Sequence, residues 1–169
     1  MKTLRLILGD QLHIGHSWFR EPDPDVLYCL FEMRQETDYV QHHIRKVIGF
    51  FAAMRRFGED LEAMGHRVLY LKINDPDNAQ DLIKNLERLL SDENIERFEY
   101  LLPDEERLDR QLREFCEGLE IPHDAVDTEH FFTERNELAG FFDGKKQFLM
   151  ETFYRAMRKK HDILMEDGK

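Results

Sequence analysis

Cysteine is scarce in this chain, and the scarcity excludes a good deal. Cys29 and Cys116 stand alone, with no CxxC pair and no His/Cys cluster at metal-ligand spacing. That pattern offers neither a thiolate metal centre nor a disulfide framework, so buried reduced thiols are expected. Long apolar runs are missing too, and none approaches the ~20 residues of a membrane-spanning helix. Met1-Lys2 leads directly into an apolar strand, leaving no room for a signal peptide, and a cytoplasmic location is the expectation. Basic charge is outweighed, with 24 Lys and Arg against 35 Asp and Glu for a net −11. Duplex-binding surfaces are built mostly from Lys and Arg, so direct DNA binding by these residues is not expected. Walker loops, GxGxxG and GxSxG are absent, which removes the common phosphate cradles and the hydrolase nucleophile elbow.

What is present is an ordinary globular composition over 169 residues, enough for one domain with a sizeable core. Lys2–Leu8 is Leu/Ile-rich and Val26–Phe31 is wholly apolar, as strands covered on both faces should be. From Tyr39, behind an Asp38 cap, apolar residues Val40, Ile44, Val47, Ile48, Phe51, Met54 and Leu61 recur at helical spacing until Gly65 stops them. Strand patterns come next at 66–73 and 97–102, with a short fifth candidate in "IPHDAV". Helical patterns cover Ala79–Leu90, Glu105–Glu117, Glu134–Phe141 and Lys146–His161. This alternation predicts a Rossmann-like α/β three-layer sandwich: a five-stranded parallel sheet in an order near 3-2-1-4-5, with helices on both faces. Such sheets receive ligands outside the carboxyl ends of their strands, beside the first strand, where Gly9-Asp10-Gln11 falls.

Several residues invite a functional reading. His13-Ile14-Gly15-His16 spells a nucleotide-activating signature, which normally opens a helix directly after the first strand so that phosphate meets the helix N-terminus. Here Pro22 and Pro24 leave little room for that helix, and the partner Lys-Met-Ser-Lys-Ser-like loop is absent. The adjacent pair His42-His43 cannot share a metal, because neighbours on a helix point roughly 100° apart. His43 falls on a stripe with Val47, Phe50 and Met54, either as a core-edge histidine or as part of a pocket wall. Phe51 fits the core seam, which leaves Phe50 on the flank, packed under a neighbour or facing a flat ring. Asp10, Glu32 and Glu36 sit near the carboxyl edge, where carboxylates accepting hydrogen bonds from a ligand suit the place better than catalysis. No catalytic or metal-ligating set emerges.

The stretches "LRLILGDQL", "DYVQHHIRKVIGFFAAMRRF" followed by "GHRVLYL", "DPDN", "PDEER", "HFF" and "METFYRAMRKKHDILMEDGK" together resemble the amino-terminal domain of the deoxyribodipyrimidine photolyase-related proteins, the bacterial iron–sulfur cryptochromes and photolyases. The similarity runs from about residue 3 to residue 169 in order. It implies an α/β domain ahead of a larger helical domain that holds FAD and a four-cysteine iron–sulfur cluster and repairs UV lesions in DNA or senses light. It also implies a ribityl-lumazine antenna in the α/β domain, near Gly9, Asp10, Gln11, Glu36, Tyr39, His43, Phe50 and Met54. Family members often carry a smaller aliphatic residue at the Phe50 position, and the larger ring narrows the expected pocket. With two cysteines, this chain is expected to hold neither cluster nor flavin, and its partner would be its own C-terminal catalytic domain. "ILMEDGK" ends without a domain-closing pattern, so more chain is expected downstream. The alternatives are a nucleotide-binding transferase of related fold and a stand-alone interaction module.

Overall fold

The computed structural model describes residues 1–34 and 42–165. The chain divides into two compact units, residues 1–128 and 129–169. In the first, β1 (Thr3–Leu6), β2 (Val26–Phe31), β3 (Arg67–Leu71), β4 (Arg97–Leu101) and β5 (His123–Val126) form one sheet. Every pairing is parallel and the order is β3-β2-β1-β4-β5, as the alternation predicts. The crossovers are α1 (Ile44–Ala63), α2 (Leu82–Asp92) and α3 (Glu106–Glu117), and a 3-10 turn at Ser17–Phe19 lies between β1 and β2.

All of β2 is buried, as a strand covered on both faces must be. One face of the sheet presents Leu4, Leu6, Leu27, Cys29, Phe31, Phe98 and Tyr100 to α2 and α3, which supply Leu82, Leu86, Leu89, Leu108 and Leu112. The other presents Ile7, Val26, Tyr28 and Leu30 to Phe57 and Leu61 of α1 and to Trp18 and Phe19 of the 3-10 turn. Both cysteines are buried free thiols. Burial pushes Cys116 up to about 11 and Cys29 higher, which keeps both protonated at neutral pH.

The long helix differs from its sequence reading. Asp38 and Tyr39 lie outside the described residues, and His42 and His43 are not helical. The helix starts at Ile44 because the His43 side chain caps it, Nδ1 accepting the Arg45 amide at 3.2 Å. Ile44 and Ile48 are exposed, so the buried seam is Phe51, Met54, Phe57, Gly58 and Leu61. The stop at Gly65 is as predicted: φ is +93°, His66 N–H donates to Leu61 O, and Gly65 N–H donates to Glu62 O. These paired bonds form a Schellman cap, which needs a left-handed residue at this position.

The second unit holds α4 (Glu137–Phe142) and α5 (Met150–His161). Phe153, the one well-buried α5 residue, meets Phe141 edge to face and Phe142 at a tilt, and Phe148 packs edge to face on Phe142. Lys145 stands over the Phe141 ring at 3.4 Å. Arg158, Lys159, Lys160 and His161 gather in the last turn of α5, where the helix dipole favours cations.

Candidate functional site

Directly after β1 the chain turns through Gly9-Asp10-Gln11 at the carboxyl edge. Gln11 is fully enclosed and its carboxamide is committed to the fold. Oε1 accepts the Leu8 amide at 2.9 Å, and Nε2 donates to the carbonyls of Leu101 and Leu102. Both amide protons are thereby used to pin the end of β1 to the end of β4, at the point where the crossovers change direction. Asp10 is exposed on the turn.

Gly9 is where the backbone meets α1 most closely. A methyl group built there would stand 2.8 Å from Phe50 Cε1 and 2.9 Å from Met54 Sδ, and closer still to Phe50 Cζ. Only glycine leaves space for that ring. Gly9, Phe50 and Met54 are thus brought together. His43 is exposed at the helix cap, and Glu36 and Tyr39 lie outside the described residues. Beside Gly9, Leu6, Leu8, Phe31, Met33, Met54, Leu82 and Leu108 border a cavity of about 20 Å³. That holds roughly one water, whereas pockets for small organic ligands run to roughly 300–1,000 Å³. With Phe50 on Gly9, the cavity that these residues border is too small for a flat bicyclic ring.

Glu32, at the end of β2, is 0% exposed and saturated with donors. Arg55 approaches with both prongs, Nε to Oε1 at 2.6 Å and the outer nitrogen to Oε2 at 2.9 Å. Tyr70 O–H donates to Oε1 and the Ile73 amide to Oε2, while Asn78 Nδ2 holds the Glu32 carbonyl. Burial alone would raise this carboxyl's pKa. The bonds from Arg55, Ile73 and Tyr70, with the Arg55 charge, outweigh burial and hold it below the usual carboxylate range. Tyr70 is pushed up, by burial first and by its bond to Glu32 second. A carboxylate so fully bonded is neither a general base nor free to meet a ligand; it is a fastening. Glu32 was legible as an edge carboxylate, but its partner Arg55 was not, because no local spacing links a strand end to a helix 23 residues on.

His16 of the His-Ile-Gly-His motif is likewise structural. Its Nδ1 accepts the Trp18 amide at 3.0 Å, its Nε2 lies 2.8 Å from Asp127 O, and its ring packs against Trp18 and Phe19. The motif leads into a single 3-10 turn, too short to supply a helix N-terminus for phosphate. Among the described residues no group of three His, Cys, Asp or Glu could hold a metal, and no helix is long and apolar enough to cross a membrane.

Over 168 residues the chain is 34% identical to a (6-4) photolyase of Agrobacterium fabrum (strain C58 / ATCC 33970), an alignment covering 98% of this chain and 33% of that protein. The chain therefore spans about a third of the length of the curated relative it matches. The family model for deoxyribodipyrimidine photo-lyase-related proteins matches residues 5–169. By that match across nearly its whole length, the chain belongs to the deoxyribodipyrimidine photo-lyase-related protein family.

Proposed function

We propose that this chain is the antenna-type α/β domain of a photolyase-related protein, with its antenna pocket filled by the Phe50 ring. The observation that carries the reading is the position of that ring, seated on Gly9 at the carboxyl edge of the central strand. A ligand edge in a parallel α/β sheet belongs at this point, and an aromatic side chain now lies in it. The reaction itself, light-dependent DNA repair or photoreception, belongs in this reading to chain outside these residues. Two cysteines cannot ligate a cluster that needs four thiolates, so the iron–sulfur centre and FAD are assigned there as well. DNA contact is assigned there too, since these residues carry the net −11. A cytoplasmic site of action completes the proposal.

Titration with a ribityl-lumazine, followed by ligand fluorescence, tests it on the wild type, Phe50→Ile and Phe50→Ala. The expected result is binding by the two smaller variants and little or none by the wild type. If the wild type binds tightly and both substitutions lose affinity, Phe50 is a stacking wall and the filled-pocket reading fails. If no variant binds while all stay folded, the antenna assignment of these residues is wrong.

A further inference from the structure

Phe31 and Met33 border the cavity at Gly9, while Glu32 between them turns its carboxylate to α1. Alternation along the strand end produces this split. On the helix, Arg55 directly follows Met54, the cavity's α1 wall, and Phe50 lies about one turn earlier. One ion pair therefore joins the strand end carrying two walls to the helix turn carrying the opposite wall. The β3 side is tied to the same carboxylate through Tyr70 and Ile73. Asn78 grips the Glu32 carbonyl at 2.8 Å and pairs with Asn85, whose amide nitrogen lies 3.7 Å from Met33 Sδ.

We infer that the Glu32–Arg55 pair is a positioning clamp that sets the width of the cavity at Gly9, and with it what the site admits. A two-pronged guanidinium–carboxylate contact fixes both separation and rotation, which a single point charge would not. The other α1 anchors in the core on this face, Phe57 and Leu61, lie further toward the C-terminal end of the helix. Without the clamp, the half of α1 bearing Phe50 and Met54 is held against Phe31 and Met33 only by the packing of Phe51 and Met54, which fixes neither separation nor rotation as the ion pair does. The inference rests on the antenna-type reading for its functional consequence and on geometry alone for the clamp.

The test compares Glu32→Gln and Arg55→Met with Arg56→Met, a control whose partner Asp60 lies one turn along the same helix surface. Methionine methyl groups labelled with carbon-13 report the two walls, Met33 and Met54 being assigned by substitution to Leu. Both methyl signals are expected to shift by more than their line widths in the two clamp variants and to stay in place in the control. Lumazine affinity in a Phe50→Ala background is expected to fall about tenfold on adding Arg55→Met and to be unchanged on adding Arg56→Met. Should Glu32→Gln unfold, Arg55→Met carries the test, because it removes the half-exposed partner. A lower melting temperature with unmoved methyl signals would show that the pair only stabilises, and would overturn the inference. Unaltered lumazine affinity would overturn it equally. If lumazine binds none of the Phe50 variants, the antenna reading falls, and the methyl signals still decide the clamp.

Discussion

Glu32 and Glu99 show how single residues make this fold sensitive to acid. Glu99 receives Arg5 at 2.8 Å and Arg97 at 2.7 Å, and these bonds outweigh the effect of burial to hold its carboxyl below the usual range, as at Glu32. A carboxyl whose pKa is lower folded than unfolded contributes stability at pH values above its unfolded pKa of about 4.3. That contribution is lost as pH falls through the folded value. Stability should therefore hold across neutral pH and decline on acidification below about pH 4. In Glu32→Gln the decline should be shallower, since the variant cannot gain the proton. At pH 7 it should cost toward the lower end of the roughly 3–5 kcal/mol seen when a buried pair is broken, because Arg55 reaches solvent. Urea titrations from pH 3 to pH 7 measure both; equal acid slopes in the two proteins would mean the Glu32 carboxyl is not depressed.

Among the elements, periodicity and punctuation carried most of the topology. β2 reads as buried because all six of its residues are apolar, and it is buried throughout. Gly65 reads as a helix stop, and it is the left-handed residue of a Schellman cap. Replacing it by Ala should cost about 1–2 kcal/mol, read as a lower urea midpoint at unchanged slope; a midpoint within error of wild type would contradict the cap. The start of α1 was not legible, because Ile44 and Ile48 continue the apolar spacing while lying in solvent. Spacing reports which residues share a helix face but not whether anything covers it. The site was legible only as far as local pattern reaches. The Gly9 turn and the Phe50–Met54 stripe could be placed, since strand ends and helix faces are local properties. The long-range bonds of Gln11 to Leu101 and of Glu32 to Arg55 join residues that no spacing rule connects.

Over the whole molecule, charge and aromatic content separate along the chain. Residues 129–169 hold eight acidic and eight basic side chains, so the net −11 resides entirely in residues 1–128. The shorter unit holds six of the 13 phenylalanines. The acidic sheet unit is the one that carries the cavity at Gly9, and the proposed antenna-type role turns on what fills that cavity. In the filled-pocket reading, the Phe50 ring does. The proton spectrum of Gly9 in the wild-type chain, recorded with and without a ribityl-lumazine, is the measurement that bears on this without intermediate steps. Three results are expected: Overhauser contacts between the Gly9 α-protons and the Phe50 ring, a ring-current displacement of those α-protons that Phe50→Ala abolishes, and no change on adding the lumazine. Ordinary Gly9 shifts without the ring contact, or a contact that disappears as the lumazine binds, would contradict the filled pocket.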